Sequence, residues 1–166
     1  MTEPQQATRS AVSALLQTQS TMTLATCGEA GPWAAAVFFA SDERLNLYFV
    51  SDPRTRHGRD LAECGRAAAA IQPDCDNWGE IRGVQLEGAV SSLDGDAGAA
   101  ALDCYLEKFA RIRALCEQPC NDDERMIADR LRSATLYRLS PERIRLIDNT
   151  RGFGFKAELL CAAPRA

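Results

Sequence analysis

The sequence predicts an α+β domain that is mainly β: six antiparallel strands closed into a small barrel, with flanking helices. Three observations point there. Strand-like segments follow one another through short turns, the helical stripes between them are brief, and closure leaves no strand edge exposed. The chain has 166 residues, 46% of them apolar, which suits one domain over residues 1–166 built around one core.

In chain order, Ala11, Val12, Leu15 and Leu16 make a helical stripe, predicting an opening amphipathic helix over Ala7 to Gln19. Thr21 to Cys27 alternates, stops at the turn GEAGP, and is followed by WAAAVFFA (Trp33 to Ala40), read as a strand buried on both faces. LNLYFV (Leu45 to Val50) returns the chain. In SDPRTR, Pro53 forms a turn and Thr55 caps a short helix through Leu61, Ala62 and Cys64. Ala67 to Ile71 is a short strand, Gln72 to Gly79 a loop, and Ile81 to Leu93 a long strand whose glycines suggest bulges. Ala97 to Leu115 keeps helical spacing and is expected to be the longest helix, capped by Asp94 or Asp96. Asp122 to Leu131 adds a shorter one. Ala134 to Leu139 and Arg143 to Ile147, flanking Ser140-Pro141-Glu142, are expected to form a closing hairpin.

Net charge is -4, from 19 basic and 23 acidic residues without a long run of either sign, so nucleic acid is not an expected partner. The polar start MTEPQQATRS and apolar runs far below the ~20 residues of a membrane helix predict a cytoplasmic protein without membrane contact. Seven cysteines lack CxxC pairing, and Pro119 ends any helix that would join Cys116 to Cys120, so reduced thiols are expected. His57 is the only histidine, which excludes metal sites needing two or three imidazoles; no metal site is expected. GxxxxGK, HExxH, GxSxG and DxDxDG are absent. Gly152 to Ala157 satisfies GxGxxA but reads as a C-terminal turn.

The segment with the most chemistry is Ser51 to Leu61, SDPRTRHGRDL, where the hydroxyls of Ser51 and Thr55, the Arg56 guanidinium and the His57 imidazole gather at a helix start. Unpaired N–H groups and the helix dipole favour an anion there, and Arg56 can grip a phosphate through two nitrogens. A capped helix with a solvated basic turn has the same composition.

The chain resembles the pyridoxamine 5'-phosphate oxidase-like, FMN-binding split-barrel superfamily. The resemblance runs through TMTLATCGEAGPWAAAVFF, LYFVSDPRTRHGRDLAECGRAAAAI, RGVQLEGAVSSL and YRLSPERIRLIDN. It implies a six-stranded antiparallel split β-barrel and a flavin phosphate held by Thr55, Arg56 and His57, with Ser51 beside them. It also implies that backbone at Ala36, Val37 and Phe38 lines the flavin ring, at a site shared by two copies in a homodimer. The sequence departs from the oxidase itself. Ala35 and Ala40 stand where that enzyme carries arginine and lysine, His57 replaces a lysine, Gly83 replaces a glutamine, and the closing Arg-x-His is absent. The resemblance is thus to the small members of unassigned activity, and oxidation of vitamin B6 phosphates is not expected.

The expected function is an FMN-binding oxidoreductase acting on a small molecule, with the redox chemistry supplied by the flavin. The alternatives are a flavin-binding or flavin-less dimer without turnover, and a haem protein whose iron ligand would come from Cys or Tyr.

Overall fold

The computed structural model describes residues 2–161. Five helices and seven strands follow in order: α1 (Glu3–Thr18), β1 (Thr21–Gly28), β2 (Gly31–Ser41), β3 (Leu47–Ser51), α2 (Arg56–Cys64), β4 (Arg66–Ile71), β5 (Arg82–Leu93), α3 (Gly95–Lys108), α4 (Ala110–Glu117), α5 (Asp122–Ser133), β6 (Thr135–Asp148) and β7 (Lys156–Leu160). Every strand pairing is antiparallel. The sheet runs β3-β2-β1-β4-β5-β6, and β3 closes it onto β6 from Leu47↔Leu139 to Ser51↔Thr135. The expected six-stranded barrel is formed, and β7 adds a seventh strand outside β6.

Alternation on β1 sends Met22, Leu24 and Thr26 inward and leaves Thr21, Thr23, Ala25 and Cys27 exposed. Met22 and Leu24 join Phe39, Phe49, Leu139 and Ile144 in one buried cluster, to which α1 contributes Val12 and Leu16. The last carbonyls of α1 are bound by Lys108 from α3, whose Nζ donates to Leu16 O at 2.8 Å and Gln19 O at 2.6 Å. That ammonium also lies 4.0 Å from the centre of the Phe39 ring. It supplies the cation that the last turn of α1 lacks.

Three expectations are corrected. WAAAVFFA is not buried on both faces: Val37 and Phe39 turn inward, but Ala34, Ala36 and Phe38 are exposed, because the barrel covers one side of β2 only. The long helix after β5 is two helices, broken at Phe109, so the 16-residue α1 is the longest described. Phe109 leaves helical backbone (φ -111, ψ 64) and sets its ring edge-on to Phe38, centroids 5.4 Å apart. Packing onto the barrel overrides the continuous helical stripe.

The closing hairpin is instead a single 14-residue strand. Its first half pairs with β3 and its second with β7, while β5 follows it throughout except for a bulge that leaves Glu142 unmatched. A Cβ on Gly88 would run into the Ser140 carbonyl, so glycine permits the close approach at that bulge. The glycine-rich segment turns the chain, as expected, with Gly152 and Gly154 at positive φ, and it feeds a further strand, β7.

No helix among the described residues is long and apolar enough to cross a membrane. All seven cysteines are unpaired.

Candidate functional site

The chain leaves β3 at Ser51 and enters α2 at Arg56 through a tight turn. Thr55 is the helix cap, as its position predicts: its hydroxyl accepts from Gly58 N at 3.2 Å and donates to Asp52 O at 2.7 Å. Both hydroxyl functions are thereby used in holding the turn. Asp52 is clamped by Arg54 at 2.6 Å, which brings its carboxyl down to about 2. Gly58 sits against the turn so closely that a Cβ there would meet the Pro53 backbone at 2.7 Å.

Beneath the turn, His57 is 8% exposed and its Nε2 lies 2.6 Å from Ser51 Oγ. Burial lowers the His57 pKa from its ordinary 6.5, and the nearby Asp60 charge only partly opposes this, so the ring is neutral near pH 7. Asp60, also buried, accepts from Thr26 Oγ1 of β1 at 2.7 Å. Ser51, His57, Asp60 and Thr26 therefore tie β3, α2 and β1 together under the helix start.

Arg56 turns the other way. Its Nη2 donates to Ala30 O at 2.9 Å and to Gly31 O at 3.3 Å in the β1–β2 turn, and its guanidinium carbon stands 4.7 Å over the Trp33 ring. Its Nε is buried without a partner. The Nε atoms of Arg113 and Arg138 are buried without a partner as well.

An open cleft of about 870 Å³ lies between this turn, the outer side of β2 and β3, and helices α3 to α5. Of the seven residues expected at a cofactor, Phe38, Ser51 and Thr55 line it. His57 lies behind Ser51, while Ala36 is on the outer face of β2, two residues from Phe38. Val37 packs against the core, so only its backbone is available outside, and Arg56 reaches towards Trp33 rather than into the cleft.

Sequence reasoning missed Gly58, Asp60, Thr26 and Arg130, and it weighed Tyr105 as a stacking ring but preferred a core role; the residue is buried and also lines the cleft. Gly58 and Asp60 stand within the segment already singled out, but their importance depends on Pro53 and Thr26 being brought against them. Tyr105 and Arg130 carry only ordinary helical spacing in the sequence.

Beyond Phe38, the outer side of the barrel is a face of small residues. Ala36, Thr23 and Ala70 stand side by side across β2, β1 and β4, and Ala34, Ala25 and Ala68 form the next row. Five of the six are exposed and Ala70 is half-buried.

This architecture and site can be set beside known proteins. A family profile described as pyridoxamine 5'-phosphate oxidase matches residues 8–148. The chain belongs to the pyridoxamine 5'-phosphate oxidase family. Among its family relatives, it is 28% identical over 154 residues to UPF0306 protein YhbP of Salmonella arizonae, covering 92% of this chain and 93% of the relative. It is 30% identical over 125 residues to a UPF0306 protein of Klebsiella pneumoniae, covering 75% and 74%.

Two solved structures share the fold of this family member. A heme binding protein from Mycobacterium smegmatis superposes with a TM-score of 0.70 at 23% identity, covering 96% of this chain and 60% of that one. General Stress Protein 26 from Bacillus anthracis gives 0.59 at 16% identity, covering 92% and 98%. The closed barrel with its extra strand is thus the split-barrel fold.

Proposed function

We propose that this protein binds FMN and acts as an oxidoreductase on a small molecule, as a homodimer with the flavin between its copies. The observation that carries the reading is Arg56. It stands at the start of α2, beside an aromatic ring and next to the outer face of β2, with a buried Nε that lacks an acceptor. A phosphate would satisfy that nitrogen, and the first backbone N–H groups of α2 favour the same charge.

The residues present fit the group. Arg56 and the amides at the start of α2 would hold the phosphate, with Ser51 as a further hydroxyl; the small side chains Ala34 and Ala36 leave a flat ring room beside Phe38. The flavin, when bound, supplies hydride or electron transfer. The chain supplies binding and orientation: neutral His57 fixes Ser51, Thr55 fixes the turn, and Phe38 with Tyr105 keeps water from one side of the cleft.

The face of Ala34, Ala36, Thr23, Ala25, Ala68 and Ala70 supports the dimer. Its six side chains are small and uncharged, with Glu87 at the β4 edge, and a second copy laid on it would bury its alanines and cover a ring lying there. The haem reading would take its iron ligand from Cys or Tyr, since the single imidazole is buried against Ser51.

The test is an absorption scan of purified protein before and after FMN addition and desalting, with light scattering for mass. Retained flavin bands at one per subunit, reducible by NADH or NADPH, are expected. Flavin retained without reduction by either would favour the non-catalytic alternative. A Soret band in place of flavin bands would overturn the reading.

A further inference from the structure

We propose that the cleft beside α2 also takes an apolar, preferably aromatic, monocarboxylate, with its carboxylate paired to Arg130. The inference deepens the flavin reading by naming a substrate class for the same cleft, and it rests on that reading only in calling the ligand a substrate.

The walls set the body of the ligand. Phe38 from β2 faces Ile112 of α4 and Ile127 and Leu131 of α5 across the opening, so a hydrocarbon or ring entering there leaves water on both sides. Ile127 is 49% exposed and Phe38 51%, which leaves apolar surface for a ligand to cover.

The charges set its head group. Asp52, Arg54 and Arg130 are the charged residues lining the cleft. Asp52 and Arg54 neutralise one another in their 2.6 Å pair. The Arg130 guanidinium makes no ion pair or hydrogen bond among the described residues, leaving the cleft one positive charge in excess at its rim. Tyr105 does not alter the balance: burial pushes its hydroxyl up to about 12, and the group remains a neutral donor with no hydrogen bond among the described residues. A guanidinium and a phenol suit an acceptor-only carboxylate. A neutral ligand would forgo the Arg130 pair, and each further negative charge would add repulsion from Asp52, whose carboxyl already feels the Arg130 charge.

The experiment is calorimetric titration of the full chain, with and without FMN, using trans-cinnamate and its neutral isostere cinnamamide. Cinnamate is expected to bind about tenfold or more tightly than cinnamamide, the ratio for a hydrogen bond to a charged group. Arg130→Met is expected to abolish that preference while leaving cinnamamide binding unchanged. Ile127→Glu, on an exposed helical position, is expected to weaken cinnamate through repulsion.

Equal binding of the two probes, no binding of either, or a preference that survives Arg130→Met would overturn the proposal. So would loss of FMN retention in Arg130→Met with the cinnamate preference intact, which would give Arg130 to the flavin phosphate. A wild-type protein that prefers cinnamate but retains no FMN would support the carboxylate site and overturn the flavin reading alone.

Discussion

Ser51 Oγ and His57 Nε2 lie 2.6 Å apart, joining the last residue of β3 to the first turn of α2 beneath the cleft. Burial opposes protonation of His57, so the ring in this contact is held neutral. Its folded pKa lies below 6.5, so in the window just below 6.5 the unfolded chain binds more protons than the folded one. The contribution is therefore fully present above about 6.5 and is lost as pH falls through the folded pKa. Urea midpoints measured across this range should fall on acidification, and His57→Asn should flatten that part of the curve. Parallel curves for the two proteins would contradict the assignment.

The buried Asp60 depends on Thr26 for its one side-chain hydrogen bond, at 2.7 Å. Thr26→Val keeps the shape and removes the donor, leaving a buried carboxylate without its partner. A loss of about 1.5–3 kcal/mol is expected in denaturant unfolding. A change within about 0.5 kcal/mol, the usual range of surface substitutions, would show that Asp60 finds another partner.

Gly58→Ala tests the closeness of α2 to its preceding turn. Alanine is a better helix former, so propensity alone would stabilise α2 by about 1 kcal/mol. Its Cβ would meet three Pro53 backbone atoms within 2.8 Å, and backbone cannot rotate aside as a side-chain tip can. Net destabilisation of about 1–3 kcal/mol, the cost of overpacking, is expected in thermal or urea melts.

Arg56→Ala removes both the clamp on the β1–β2 turn and the donor assigned to the flavin phosphate. FMN affinity should fall by about 1.5–3 kcal/mol in fluorescence-quenching titrations. Trp33→Leu, which keeps Arg56 but removes the ring beneath it, should have a smaller effect. Unchanged affinity in Arg56→Ala would move the phosphate elsewhere.

The small-residue face gives the last prediction. Ala68→Glu places a second carboxylate beside Glu87, its cross-strand neighbour, at the β4 edge of the surface assigned to the second copy. The variant should remain folded by circular dichroism, since Ala68 is exposed, yet sediment as a monomer. A dimer that persists would place the interface on another face.

Much of the barrel was legible because its evidence is local. Alternation in Thr21 to Cys27 and Ile81 to Leu93 fixes which side chains turn inward, and the hydroxyl of Thr55 ahead of RHGRDL marks a helix start. The errors arose where distant segments compete. Phe109 abandons a good helical stripe to reach Phe38, and Ser140-Pro141-Glu142 has the composition of a turn but forms a bulge opposite Gly88.

By itself, then, the sequence determined the alternating strands, the capped start of α2 and the gathering of Ser51, Thr55, Arg56 and His57 within a few residues. Only the tertiary structure decided how those groups divide: Ser51 and Thr55 on the cleft, His57 beneath it, and Arg56 drawn to Trp33. It also brought Tyr105 and Arg130 to the same opening and left one face of β2 uncovered. The physical reason is range. Periodicity and capping are read from neighbours along the chain, whereas a cleft, a buried charge and an exposed sheet face exist only after strands far apart in sequence have paired.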